Sequence, residues 1–186
     1  MNKSYDATIG YSPLEEVNPE KLAQQIRVNL KIIREHYTIR PGDTVLVAGA
    51  GLGYEAMLIH EELSLSTIGV DLHIDPRRGE SLPEGVSFHK QDLMSLAFCG
   101  DAFDMIYCYH VLEHVTDHVA VLKEFRRVLR PGGVLFIGFP NRNRLLSYVG
   151  TSQNVSLSDR MHWNLNDYAY RLKGKFENKF GAHAGF

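Results

Sequence analysis

Cysteine is scarce in this chain of 186 residues: only Cys99 and Cys108 occur, and they show no C-x-x-C spacing. Two isolated thiols exclude a disulfide framework and read as small apolar residues of a reducing compartment. Long hydrophobic runs are missing too. No stretch approaches the roughly 18 apolar residues of a membrane-spanning helix, and the N-terminal residues contain no apolar leader core. Nor is there a surplus of positive charge. Twenty Lys and Arg stand against 22 Asp and Glu, a formal charge of −2 with a sequence pI near 6.5, so the phosphate-neutralising surface that nucleic acid requires is not expected. The trio Arg126, Arg127 and Arg130 is read as a solvated helix end. These absences lead to the expectation of a cytoplasmic protein that engages neither nucleic acid nor membrane.

What is present is an alternation of short apolar runs and amphipathic segments. Residues 1–38 read as a polar arm followed by a helix. Asn18 would cap that helix and Pro19 would occupy its first turn, with Leu22, Ile26, Leu30 and Ile33 on one face. Residues 39–140 read as an α/β core. "TVLVAG" (44–49), "STIGVD" (66–71), "VSFHKQD" (86–92), "FDMIYCY" (103–109) and "VLFIGF" (134–139) have strand length, and helical spacing is expected over 53–63 and 110–130. Val111, Val115, Val119, Leu122, Phe125 and Leu129 would form the apolar face of the second helix, which Pro131-Gly132-Gly133 stops. Buried strands separated by helices specify a doubly wound, Rossmann-like and mostly parallel sheet. Residues 141–186 turn polar and aromatic and lose the strand rhythm. They are expected to form a substrate lid, and no further strand pair is recognisable in them.

A sheet of this kind binds ligands at the carboxyl ends of its strands. "VLVAGAGLG" (45–53) puts Gly49, Gly51 and Gly53 where a strand turns into a helix, and Asp71 follows Gly51 by 20 residues, at the end of the second strand. Bare backbone there lets a ligand approach closely, and the carboxylate is placed to accept from a ribose diol. A dinucleotide fingerprint would need Gly or Ala at position 54; Tyr54 disfavours a nicotinamide-dependent oxidoreductase.

In this order the segments resemble the class I methyltransferases that use S-adenosylmethionine, particularly the small single-domain members of the methyltransferase type 11 kind. The glycine turn, "GVD" ending at Asp71, "KQDL" (90–93), "FDMIYCYHVLEHV" (103–115) and "LRPGGVLFIGFPN" (129–141) carry the resemblance. It implies that the cofactor is S-adenosylmethionine, with Ala48, Gly49, Ala50 and Gly51 along its methionine end. It also implies that Asp71 binds the ribose hydroxyls, that Leu72 packs on adenine, that Asp92 accepts from the adenine amino group with Leu93 beside the ring, and that the Tyr109 backbone lies near the sulfonium. Val47 departs from the pattern, because the family usually carries an acidic residue there. The implied reaction moves a methyl group to an oxygen or nitrogen of a small acceptor. A protein that binds the cofactor without catalysis is the alternative.

"HVLEH" (110–114) also fits the H-x-x-E-H pattern of a class of zinc peptidases if it is helical, since His110, Glu113 and His114 would then share a face. Its position directly after a buried strand assigns it instead to the floor of a methyl-transfer pocket. His110 is the expected catalytic base, because its ordinary proton affinity suits proton removal near neutrality. Glu113 and His114 are expected to be scaffold. A divalent cation held there with His162 would be an addition to that chemistry, and no metal is assigned.

Overall fold

The computed structural model describes residues 19–74 and 82–139, together with helical positions Ser158, Met161, His162, Leu165, Tyr168 and Ala169. The chain forms two compact units, Met1–Gly138 and Phe139–Phe186. The expected N-terminal arm, the Asn18 cap and the loop over 75–81 lie outside the described residues, as does most of the expected lid.

In the first unit, helix α1 (Pro19–His36) precedes strand β1 (Thr44–Ala48), α2 (Tyr54–Leu63), β2 (Ser66–Asp71), β3 (Val86–Lys90) and β4 (Phe103–Tyr109). After β4 come a single 3₁₀ turn (Leu112–His114), α3 (His118–Val128) and β5 (Leu129–Gly138). All five strands are parallel, in the order β3-β2-β1-β4-β5. The order reverses at β1, which has β2 on one side and β4 on the other. Such a switch point opens a crevice at the strands' carboxyl ends.

Two apolar layers sandwich the sheet. On one side Ile26, Leu30 and Ile33 of α1, all at most 2% exposed, pack with Val45, Val47, Ala56, Ile59 and Tyr107. On the other, Val121, Phe125 and Val128 of α3 pack with Leu46, Ile106, Cys108 and Phe103. One polar link crosses the first layer: Asn29 Nδ2 donates to the Tyr107 hydroxyl at 2.7 Å, which satisfies two buried groups that water cannot reach.

The helix after β4 differs from the expectation. Residues 110–111 are not helical, and α3 starts at His118, capped by Asp117, whose carboxylate accepts from the Ala120 amide at 2.9 Å. The later start changes the phase of the buried face. Val121, Phe125 and Val128 are buried, while Val119 and Leu122, expected inside, are 61% and 40% exposed. Pro131-Gly132-Gly133 follows the helix as expected, but lies within β5: Leu129 pairs with Phe103, and regular pairing with β4 resumes at Val134 opposite Met105.

Two of the three arginines pin loops rather than face solvent alone. Arg127 donates to the Leu96 and Phe98 carbonyls at 2.7 and 2.6 Å. Arg130 reaches both Asp104 oxygens at 2.9 and 2.7 Å. Asp104 Oδ2 also accepts from the Thr44 amide at 2.8 Å, joining the starts of β1 and β4. Burial alone would raise the proton affinity of Asp104, but the Thr44 amide and hydroxyl and the Arg130 guanidinium outweigh it and hold the carboxyl below its usual range. The sign follows. Its contribution is present above the unfolded value of about 4 and is lost as pH falls through the lower folded value. Asp104→Ala should therefore lower Tm by about 2–4 °C at pH 7. The gap between variant and wild type should close in thermal melts as the pH is taken progressively below the unfolded value.

Candidate functional site

The turn after β1 is built on backbone. Gly49, Gly51 and Gly53 have φ of 73°, 48° and 80°, and the Gly49 and Ala50 amides donate to the Val70 carbonyl of β2 at 2.8 and 2.9 Å. Gly53 accepts the first helical bond of α2, from Met57, and no side chain caps that end. Asp71 fastens the same turn to the neighbouring strand. Its Oδ2 accepts from the Gly51 amide at 2.8 Å and its Oδ1 from the His73 amide at 2.9 Å. Ala48 and Ala50 are buried, at 1% and 5% exposed. Gly49, Ala50, Gly51 and Asp71 thus meet at the mouth of the crevice.

On the β3 side the expected residues divide. Leu72, 53% exposed, offers apolar surface next to Asp71, whereas Leu93 is packed in the core beneath. Asp92 shapes its own turn: Oδ1 accepts from the Met94 amide at 2.8 Å, and its carbonyl accepts from Ser95.

At the end of β4 the Tyr109 ring lies over Gly138 of β5, in the space a Cβ there would fill. The chain then turns sharply. His110 has φ of +55°, its amide donates to the Gly138 carbonyl at 2.7 Å, and its ring meets Tyr109 edge-on with centroids 4.3 Å apart. A non-glycine residue in this region is strained, a cost of order 1–3 kcal/mol. The 3₁₀ turn that follows brings Glu113 back to His110, with Nδ1 and Oε1 3.1 Å apart. The helical face expected for these residues is therefore absent, yet two of its three members meet through a tighter turn.

Glu113 is 7% exposed, and its Oε2 is buried without a hydrogen-bond partner among the described residues. Burial favours its protonated form, but the bond from His110, a backbone bond and the nearby histidines prevail and lower its proton affinity. An ionised Glu113 only accepts, so the His110 Nδ1 carries the hydrogen and donates it. Nε2 is the ring nitrogen left outside this bond, on a side chain that is 50% exposed. The sequence alone assigns Glu113 to the scaffold. The i, i+3 spacing that could reveal the pair reads there as helical.

A second acid, Glu55, escapes the sequence reading altogether. It stands in the first turn of α2, partly buried, and makes no hydrogen bond among the described residues. Burial pushes its carboxyl up to about 7, with His110 acting in the opposite direction. Its position directly behind the glycine turn, next to the fully buried Ala56, is the signal that could have found it.

His162 belongs to the second unit, so the metal arrangement that would include it is not defined. Among the described residues no three His, Cys, Asp or Glu side chains gather to hold a metal, and no helix is long and apolar enough to cross a membrane.

A parallel sheet whose crevice joins a positive-φ glycine turn to a carboxylate on the adjacent strand end defines an α/β protein of the nucleoside-cofactor-binding type. Comparison with known proteins narrows the class. The family described as "Methyltransferase domain" matches residues 46–137. The ubiquinone biosynthesis O-methyltransferase of Chromobacterium violaceum is 28% identical over 99% of this chain and 78% of its own length. Methyltransferase GfsG of Streptomyces halstedii is 31% identical over 67% of this chain, which spans 45% of that protein. Among solved structures, Haemonchus contortus phosphoethanolamine N-methyltransferase 2 in complex with S-adenosyl-L-methionine shares the fold. Its TM-score is 0.54 at 20% identity, over 76% of this chain and 36% of that one. The chain belongs to the class I S-adenosylmethionine-dependent methyltransferases.

Proposed function

We propose that this protein transfers the methyl group of S-adenosylmethionine to a hydroxyl or amine of a small molecule. The observation that carries the reading is the Gly51 amide to Asp71 Oδ2 bond at 2.8 Å. It holds a bare, positive-φ backbone turn and a ribose-binding carboxylate in one frame. The residues fit the cofactor: the bare backbone from Ala48 to Gly51 for its methionine end, Asp71 for its ribose, the exposed Leu72 for adenine, and Asp92 along the far wall with Leu93 packed in the core beneath. When bound, the cofactor supplies an electrophilic methyl on a sulfonium.

The chain's own work is then positioning and proton removal. Tyr109 ends β4 and His110 follows it, on the turn that would border the donor's methyl group. Glu113 keeps His110 in the tautomer whose Nε2 accepts a proton from the attacking group. That pairing favours a hydroxyl acceptor, which must lose its proton as it is methylated. The O-methylation named for the Chromobacterium relative supports the same choice.

Calorimetric titration with S-adenosylmethionine tests the cofactor, and transfer of labelled methyl to phenolic and amine acceptors tests the reaction. Absence of binding would overturn the reading. His110→Ala should reduce transfer by about 10²–10⁴ while leaving cofactor affinity within about threefold. An equal loss in both would remove His110 from its role as base.

A further inference from the structure

We infer that Gly138 is a positioning residue for methyl transfer: the side chain it lacks leaves room for the Tyr109 ring, and that ring and the Gly138 carbonyl together hold His110 in place. The inference rests on the role of His110 proposed above. Gly138 ends β5 and lies in register with Tyr109, the last residue of β4. Two residues earlier, on the same face, Tyr107 stands opposite Phe136, and the two rings stack with centroids 5.3 Å apart at 13°. Opposite Tyr109 there is no side chain to stack on. Its ring lies over the bare backbone instead, and a Cβ on Gly138 would overlap Cδ2 and lie 2.5 Å from Cε2. The backbone itself does not ask for glycine, because Gly138 has no positive φ. The ring is what excludes a side chain there.

His110 is held at three points. Its amide donates to the Gly138 carbonyl at 2.7 Å, its ring meets the Tyr109 ring edge-on at 4.3 Å and 78°, and its Nδ1 bonds Glu113 Oε1 at 3.1 Å. Two of the three lead back to Gly138. A non-glycine backbone at φ of +55° persists only where its surroundings over-determine it, and Gly138 supplies much of that constraint. On the other side of His110, Val111 occupies the space that a Cβ on Gly49 would fill. The β4 exit is thus seated on two bare backbones, β5 before His110 and the β1 turn after it. A methyl group on residue 138 would push the Tyr109 ring off β5, and the imidazole resting on it would follow. A misplacement of about 1 Å costs up to about a hundredfold in rate. The glycine turn and Asp71 stand on β1 and β2 and keep their own bonds.

Gly138→Ala in the full chain is the test, read by calorimetry with S-adenosylmethionine, by labelled-methyl transfer to a phenolic acceptor, and by the His110 imidazole proton signals in NMR, assigned by their absence from His110→Ala. The His110 signals should move and transfer should fall about 10–100-fold, while donor affinity stays within about threefold of wild type. Tyr109→Ala removes the ring that the new methyl would strike. In that background Gly138→Ala should change neither the rate nor the signals further, a coupling that independent sites do not show. Unmoved His110 signals in Gly138→Ala, or losses that add, would overturn the inference and leave His110 as the base. Moved signals with an undiminished rate would overturn it as well. His110→Ala then tells how far the failure reaches: only if it too transfers at the wild-type rate does the base assignment go. A wild type that transfers no methyl would remove the proposed function itself. Should Gly138→Ala fail to fold, the double variant with Tyr109→Ala should fold, and one that does not would overturn the inference.

Discussion

Asp71→Ala is expected to weaken S-adenosylmethionine binding by about 100-fold or more while leaving the protein folded. The carboxylate has two tasks in one place. It accepts the Gly51 amide at 2.8 Å and the His73 amide at 2.9 Å, and under the proposed function it accepts the ribose hydroxyls. Hydrogen bonds to an ionised acceptor contribute about 1.5–3 kcal/mol each, so losing two to ribose already approaches a hundredfold or more. The turn loosens as well, because the Gly51 amide no longer has its acceptor. The folding penalty stays modest, since Asp71 lies at the rim, where water replaces it. Asp71→Asn should be nearly as damaging, because its amide nitrogen cannot accept and one backbone N–H would then face a donor. Calorimetry with a parallel thermal melt separates the effects. Affinity within about tenfold of wild type in a folded Asp71→Ala would remove the residue from the cofactor site.

The glycine turn and Asp71 are legible in the sequence because their signals are local. A strand ending in glycines is followed 20 residues after Gly51 by an acid, and each feature sits at the terminus of a short apolar run bounded by polar residues. The strands are legible for a related reason: "TVLVA", "STIGVD" and "FDMIYCY" are largely apolar because helices cover both faces of the sheet. The segment after β4 is not. Its spacing suits a helix from His110, yet the His110 amide is drawn to Gly138 of β5, and the residue takes φ of +55°. The helix then waits for the Asp117 cap. A contact between residues distant in sequence overrides local propensity, and the buried face of α3 moves with it. Glu55 and Glu113 stay hidden because a buried acid looks like any surface acid until the neighbours that remove its water are known.

Gly49→Ala should cost about 3 kcal/mol or more of stability and is the substitution most able to unfold the domain. Two penalties add. The residue has φ of +73°, where an L side chain costs about 1–2 kcal/mol. A Cβ there would also overlap both γ carbons of Val111, lying 2.7 Å from Cγ1 and 3.1 Å from Cβ. Val111 cannot swing aside cheaply, being β-branched and packed against the core cluster under α3. Overpacking of this kind costs a further 1–3 kcal/mol or so, against a total stability of about 5–15 kcal/mol. The two parts are separable. Val111→Ala in the same background should recover the steric part and leave the backbone part, giving a coupling of about 1 kcal/mol or more in a double-mutant cycle read by denaturant unfolding. Additive losses would mean that Val111 does not rest on Gly49. The contact has a functional side as well. Val111 follows His110, so its seat on the bare Gly49 backbone is what draws the β4 exit against the glycine turn. A variant that stays folded but lifts Val111 should lose methyl transfer before it loses cofactor binding.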